Sequence, residues 1–462
     1  MIFIFGVCLF LLCGYAIAIL LDLLRNDLLS DLSLAWFFGI GYYGLGLLIN
    51  HYVFHGKLGP VSSLLVLSIP FLLAFIRQIK NLSAKKIELK EGRYLSDKKN
   101  RKLTLLEKGL LLISLSIFLL ICSHGVSTPV VSDDAARVRA YYPIMVYKQD
   151  LKYFYGKMFT NGPVSNYAPQ LLWQLNGGVE YFFIKYMNLV SFACFLILLF
   201  RIPVKHGNVG EGVYNVFLTL SLPFLVYHAT SANLDLPVVI PFALGFLLFS
   251  IYVESGKRAD LNTAILIFTV AALIKGKGEL LAVTGIGIAG MYVLSESARK
   301  KSPMPWKSIS FILPLAIFLY LKESVGTPYF KRFDEPVNSL TNLIVGSPSK
   351  VEATAHVFAP GQKIYGFFHS LFLSGHFNIL FYLLVGSILF FAGRIAVSKR
   401  LKWNLFFFAV VFSECYIYMA SRFDVALAHQ SIIHRVMILL AVIGVLLLSS
   451  IWGSREKRSN FS

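Results

Sequence analysis

"LNTAILIFTVAALIKGKGELLAVTGIGIAGMYVLS", residues 261–295, is one apolar run interrupted near its middle by two lysines, two glycines and a glutamate. It is flanked on both sides by cations, Lys257 and Arg258 before it and Arg299 to Lys301 after it. Lys and Arg collect on the cytoplasmic side of membrane proteins, so both flanks belong on that side. A single crossing would put them on opposite faces. The stretch is therefore predicted to cross twice, as two short helices near 261–275 and 279–295 broken at "KGKGE", 275–279.

The rest of the chain is of the same kind. Hydrophobic residues make up 56% and charged residues only 15% of the 462, too apolar a balance for a soluble protein of this length. A helix needs about 20 residues to cross roughly 30 Å of hydrocarbon, and such windows recur from the first residues to Trp452. They are rich in Leu, Phe and Ile and lack the alternation of a membrane barrel, which predicts an all-α polytopic membrane protein. About 13 transmembrane helices are expected, near 2–24, 33–54, 58–77, 107–123, 180–201, 212–228, 236–253, 261–275, 279–295, 308–324, 375–394, 404–420 and 431–451. The first has no basic segment ahead of it and no small-residue cleavage site behind it, and is read as a retained span.

Charge orients these spans. Between Arg77 and Lys108 there are 11 Lys and Arg against four acids, and the same sign recurs at Lys399 to Lys402 and at Arg455 to Arg458. All of these fall on one, cytoplasmic, side. The net charge of +19 is then a topology signal that also meets anionic lipid, not a nucleic-acid site. Five cysteines, Cys8, Cys13, Cys122, Cys194 and Cys415, lie in or at the ends of apolar spans without metal or disulfide spacing, and read as small hydrophobes. The opposite face carries two large outer loops, 124–179 and 325–374, and short ones at 229–235 and 421–430. The loop 325–374 is long and mixed in polarity, as an acceptor-side lid would be.

The unusual side chains gather on that outer face. "SDDAARVRAYYP", 132–143, sets Asp133 and Asp134 just beyond the span 107–123, at head-group level, with Arg137 and Arg139 close behind. A carboxylate there can accept the proton of an incoming hydroxyl while cations stabilise a leaving phosphate; a solvated loop whose acids and arginines neutralise each other fits as well. "NYAPQLLWQL", 166–175, contributes Tyr167 to an aromatic stretch suited to the interface. Asp235 stands directly before a span, where an acid must be hydrated, paired or bound to metal. Asp134 and Asp235 are candidate ligands for a divalent metal such as Mg²⁺ or Mn²⁺, hard cations that take oxygen ligands. The break at 275–279 adds Lys275, which also fits a snorkelling anchor, and Glu279. "RFDVALAHQSIIHRVMILL", 422–440, puts His429, His434 and Arg435 at the mouth of the last span, where an arginine is costly unless it faces a polar ligand.

The order of these motifs, an Asp-Asp pair after a span, "YAP", "LPFLVYHATSANLDLP", "AALIKGKGELL" and "HQSIIHRVMILL", resembles the GT-C glycosyltransferase superfamily. It is most similar to the protein mannosyltransferase-like membrane enzymes that use polyprenyl-phosphate sugars. The resemblance covers roughly 105–451, a transmembrane catalytic module. It leaves 1–104 as a three-helix addition with a basic cytoplasmic loop and 452–462 as a basic cytoplasmic tail. It implies that Asp133 is the catalytic base with Asp134 beside it, and that Lys275 and Arg435 meet the carrier phosphate. The second acid is Asp where the family often has Glu, "YAP" replaces Tyr-Pro-Pro, and no large soluble C-terminal domain follows the last span. The implied activity is inverting transfer of a hexose or pentose from a polyprenyl-phosphate donor to a hydroxyl of a glycan, lipid or protein acceptor. The implied setting is the outer face of a bacterial inner membrane, surrounded by membrane lipid. No G-x-G-x-x-G or Walker spacing is present, and a lipid-anchored donor needs none. A transporter or flippase of lipid-linked sugars is the alternative, because "KGKGE" between short helices is similar to the broken helices of transporters. A scaffold protein would explain the spans but not the outer charges.

Overall fold

The computed structural model describes residues 2–54, 59–84, 103–127, 162–165, 168, 183–230, 235–301, 306–324, 360–372, 379–421 and 430–453. All regular structure among them is helical. The helices are α1 (Ile2–Leu20), α2 (Leu28–Tyr52), α3 (Pro60–Ala84), α4 (Leu105–Ser127), α5 (Phe183–Lys205), α6 (Val209–Leu220), α7 (Pro223–Thr230), α8 (Asp235–Ser255), α9 (Arg258–Ile274) and α10 (Gly276–Lys300). They continue as α11 (Trp306–Ile309), a 3₁₀ turn (Ser310–Ile312), α12 (Leu313–Ser324), α13 (Pro360–Phe372), α14 (Leu380–Phe390), α15 (Ala392–Val397), α16 (Lys399–Ser421) and α17 (Gln430–Gly453).

Six described helices, within α2, α3, α4, α5, α8 and α10, are long and apolar enough to cross a membrane. This is a helical, multi-pass membrane protein. A seventh crossing is added if α6 and α7, which meet at 74°, make one broken span. Every one of the 13 expected windows contains helix, but several are interrupted. The window 212–228 stops at Leu220 and restarts at Pro223, whose fixed φ and missing N–H suit a first helical position. The window 308–324 opens with a short helix and a 3₁₀ turn ahead of Pro314, and in 375–394 the described helix from Leu380 is interrupted at Phe391. Hydropathy averages over such breaks because the residues on either side remain apolar.

The core is α8, with 94% of its apolar window inside the protein, surrounded by α5, α9, α10, α16 and α17. Phe242, Phe246 and Phe249 on α8 pack around Phe407 of α16, which also stacks on Phe268 of α9. At the other extreme, α3 and α4 bury little of their length. Apolar surface exposed to hydrocarbon carries no solvation penalty, so helix packing here rests on close fit and polar contacts. Cys13, Cys194 and Cys415 are buried as expected, whereas Cys8 lies on the exposed side of α1. No described cysteine forms a disulfide.

The segment 261–295 folds as a helical hairpin. The break is narrower than the sequence reading made it: Lys275 alone is extended (φ −157°, ψ 151°), and Gly276 to Glu279 already form the first turn of α10. α10 then runs parallel to α8, since Tyr292 donates to the Val253 carbonyl at 3.3 Å at one end while Lys275 meets Asp235 at the other. The loop expected as a lid, 325–374, ends in α13, where Phe367 packs edge-on against Phe412 and Tyr416 of α16. The rest of that loop up to residue 359 lies outside the described residues.

Candidate functional site

Two charged clusters occupy opposite ends of the bundle. The first joins segments whose basic residues the sequence reading assigned to one side. Arg77 donates to the Ile19 carbonyl at 2.8 Å and pairs with Asp22 at 2.6 Å, so α3 closes the open carbonyls at the end of α1. Asp27 pairs with Arg201 at 2.6 Å, Arg25 with Asp260 at 2.7 Å, and Lys399 with Glu296 at 2.7 Å. Arg400, almost fully buried, binds Glu211 through both terminal nitrogens and reaches Glu254 at 3.1 Å, while its Nε donates to Ser250 at 2.8 Å. Four helices are tied together there, since Ser450 of α17 also donates to Glu211, at 3.3 Å.

That end also tunes its ionisable groups. The Arg201 guanidinium hydrogen-bonded to Asp27 holds its carboxyl below the usual carboxylate range. Burial pushes the His206 imidazole down to about 4, with the attraction of Asp260 at 3.9 Å offsetting only part of the desolvation. His206 is therefore neutral at pH 7. A half-buried ring among Arg25, Lys257 and Arg400 would gain a like charge by protonating.

The second cluster lies at the other end, around the α9–α10 break. Lys275 leaves the helix in an extended conformation and its ammonium reaches Asp235 Oδ1 at 2.9 Å, across 40 residues of sequence. Asp235 is the first residue of α8, so two helix ends are held by one ion pair. One turn into α10, Glu279 pairs with Lys322 near the end of α12, and both are buried. An acid in the first turn also favours the positive end of the helix dipole.

Close backbone contacts fix this corner. A Cβ on Gly278 would stand 1.9 Å from the Ala271 carbonyl oxygen, so only glycine lets the hairpin close this tightly. The short segment 162–165 packs on the same corner. Gly162 lies where a Cβ would come within 2.2 Å of the Leu273 carbonyl oxygen, and the Ser165 hydroxyl donates to the Ile274 carbonyl. That carbonyl belongs to the open end of α9, so the serine satisfies an acceptor the helix cannot. Beside it lies a cavity of about 20 Å³, lined by Ser165, Asn188, Ser191, Pro237 and Ile274 among others. It has room for about one water and none for a sugar ring.

Of the residues expected to act, Lys275, Glu279 and Asp235 come together here. Asp133, Asp134, Arg137, Arg139, Tyr167 and His429 lie outside the described residues. His434 and Arg435 fall in the first two turns of α17, and their side chains lie outside the described set. Lys322 and Ser165 were not singled out from sequence. A lysine in the last turn of an apolar helix reads as a snorkelling anchor, and a lone serine in a long loop carries no signal at all.

A divalent cation requires several oxygen ligands. Among the described residues no three His, Cys, Asp or Glu side chains gather, and Asp235 already faces an ammonium. These residues alone do not fit a metal centre, and the other candidate ligand, Asp134, lies outside them. What the corner can do is present cations: an ammonium oriented by a carboxylate, 20% exposed, at the N-terminal end of α10. No protein-family model, no curated protein and no solved structure matches the chain.

Proposed function

We propose that the chain is a membrane glycosyltransferase, which moves a sugar from a polyprenyl-phosphate donor to an acceptor hydroxyl at the outer face of a bacterial inner membrane. The supporting observation is the Lys275–Asp235 pair. It joins two of the motif residues that carry the GT-C resemblance, at the end away from the basic cluster of Arg25, Arg77, Arg201 and Arg400. In this reading about 13 helices cross the membrane, α9 and α10 cross separately, and the interrupted helices count as spans.

The mechanism is a single inverting displacement. Asp133 takes the proton of the acceptor hydroxyl as its oxygen bonds to the anomeric carbon, and the bond from that carbon to the carrier-phosphate oxygen breaks. Charge grows on the departing phosphate, where Lys275 and Arg435 neutralise it. Asp235 holds the Lys275 ammonium at 2.9 Å and leaves the remaining N–H donors to the phosphate. The pairing also lets the lysine rest in its place without an uncompensated charge when no donor is bound.

The test uses the full chain in nanodiscs with defined polyprenyl-phosphate sugars, one at a time, and extracted cell-envelope acceptors. Asp133→Asn keeps size and removes the base, so turnover is expected to fall by about a hundredfold or more with donor binding retained. Near-normal turnover in that variant rejects the assignment. A second reading, a transporter or flippase of lipid-linked sugars, is favoured by the 74° bend between α6 and α7, because discontinuous helices line transporter sites. It is distinguished by movement of labelled donor across sealed liposomes without acceptor.

A further inference from the structure

We propose that Glu414 is an intramembrane proton-binding site, a carboxyl group kept in its acid form between α10 and α16 and reachable from the bilayer. The inference takes α16 as a membrane span, part of the topology proposed above, but makes no use of sugar transfer.

Glu414 lies fifteen residues along α16 from the Lys399 end and is only partly buried. Its hydrogen-bond partner among the described residues is the Thr284 hydroxyl of α10, which donates to Oε2 at 3.1 Å. One neutral donor does not replace the hydration of a carboxylate, and an unpaired charge in hydrocarbon is among the costliest things a helix can carry. Binding a proton removes that cost. The acid form carries no charge, so a single hydroxyl contact leaves far less unsatisfied than it would for a carboxylate.

Among the described residues the surroundings offer no cation to compensate instead; the side chains of Lys363, His434 and Arg435 lie outside them. On α10 the nearest is Lys277, two turns from Thr284 toward the helix start, and its ammonium sits 4.8 Å from the ring centre of Tyr418, one turn beyond Glu414 on α16. Glu279, the other charge on that part of α10, is paired with Lys322. On α16 the adjacent ionisable group is the buried Cys415. α8 carries its described charges at its ends, Asp235 and Glu254, both in ion pairs. α13 meets α16 through Phe367 against Phe412 and Tyr416, and its His369 is exposed beside Tyr365. From Met437 to Leu448 the side chains of α17 are apolar.

Access is built into α10. Thr284 is followed three residues later by Gly287, where an added Cβ would meet nothing within 4 Å, and Val283, Met291 and Leu294 along that side are exposed. A glycine-floored notch thus opens beside a half-buried acid on a helix surface that faces hydrocarbon. Small apolar molecules dissolved in the membrane can reach it, whereas bulk water is kept away.

The experiment is labelling of the full chain in liposomes with dicyclohexylcarbodiimide, followed by peptide mass spectrometry. The reaction requires the acid: its proton moves to one carbodiimide nitrogen as the carboxyl oxygen adds to the central carbon. The acyl group then shifts to nitrogen, giving a stable N-acylurea with nothing lost. At about pH 6 an ordinary glutamate, with a pKa near 4.3, is roughly 2% acid and reacts little. Glu414 is expected to be the dominant labelled carboxyl there, and its labelling rate to fall at least tenfold by about pH 10, because buried glutamates titrate as high as about 8 to 9. The mass increment should disappear from its peptide in Glu414→Gln, and the wild-type pH profile stands as evidence even if that variant does not fold. An unlabelled Glu414 at about pH 6, or a rate independent of pH, overturns the proposal. Neither result bears on the transferase reading, which is tested by turnover.

Discussion

Exchanging Lys275 and Asp235 separates a structural ion pair from a phosphate-binding one. In Asp235→Asn the ammonium keeps its place at the α9–α10 break but loses a charged hydrogen-bond partner 2.9 Å away. Contacts of this kind contribute about 1.5 to 3 kcal/mol, and removal of one member of a fully buried pair costs about 3 to 5 kcal/mol. Asp235 is 7% and Lys275 20% exposed, so water reaches the lysine and the lower range applies, about 2 kcal/mol of destabilisation. Lys275→Met removes the ammonium from the more buried partner, Asp235, and should cost somewhat more. The double variant Lys275→Asp, Asp235→Lys restores opposite charges across the same gap and is expected to recover most of the thermal stability measured in detergent. It moves the cation from the α10 start to the α8 start, however, away from where the carrier phosphate is placed. Sugar transfer should therefore stay low in the swapped chain although its unfolding midpoint returns. Recovery of activity together with stability would refute the reasoning, because it would mean that the pair matters only for holding two helix ends together.

Arg435→Lys is expected to insert normally yet bind polyprenyl-phosphate donor more weakly by about 1 to 3 kcal/mol, since lysine retains the charge but not the planar fork of donors; equal affinities in nanodiscs would make Arg435 an anchor. A reporter fused near Lys90 should behave as cytoplasmic and one near Tyr155 as outer, and the reverse would move the Lys275 corner to the wrong face. For His206, with a folded pKa of about 4 below the ordinary 6.5, the unfolded chain holds a proton between those values that the folded chain lacks. Stability should thus fall as pH drops from about 6.5 to about 4, and the slope of unfolding midpoint against pH should flatten in His206→Gln; parallel profiles would mean that the ring is already charged in the fold.

The helices were legible because the bilayer leaves an apolar backbone few alternatives, and the helical hairpin of 261–295 was legible because charges flank it on both sides. Where helices stop and restart was harder to read. At Leu220 to Pro223 and at Phe391 the residues on both sides of the break are as apolar as those within the helices, so hydropathy sees one span where the backbone makes two pieces. The amphipathic α13 was hidden inside a loop for a related reason, since thirteen residues are too few to register as a span. Candidate residues on α8 and α10 could be named, but not their pairing: a lysine that snorkels and a lysine that binds a carboxylate occupy the same place at a helix end.

The difference between those two lysines lies in a neighbouring helix, far away in sequence. Asp235 precedes Lys275 by 40 residues, Lys322 follows Glu279 by 43, and Thr284 meets Glu414 across 130. In the first two cases an acid meets a cation, and each pair can stay charged at an end of the bundle. In the third the acid's partner among the described residues is a hydroxyl, farther from that end, and the same physics that makes pairing favourable elsewhere calls for a proton. A single rule, that charge within a membrane must be matched, accounts for all three; which match is available depends on the helix that packs alongside.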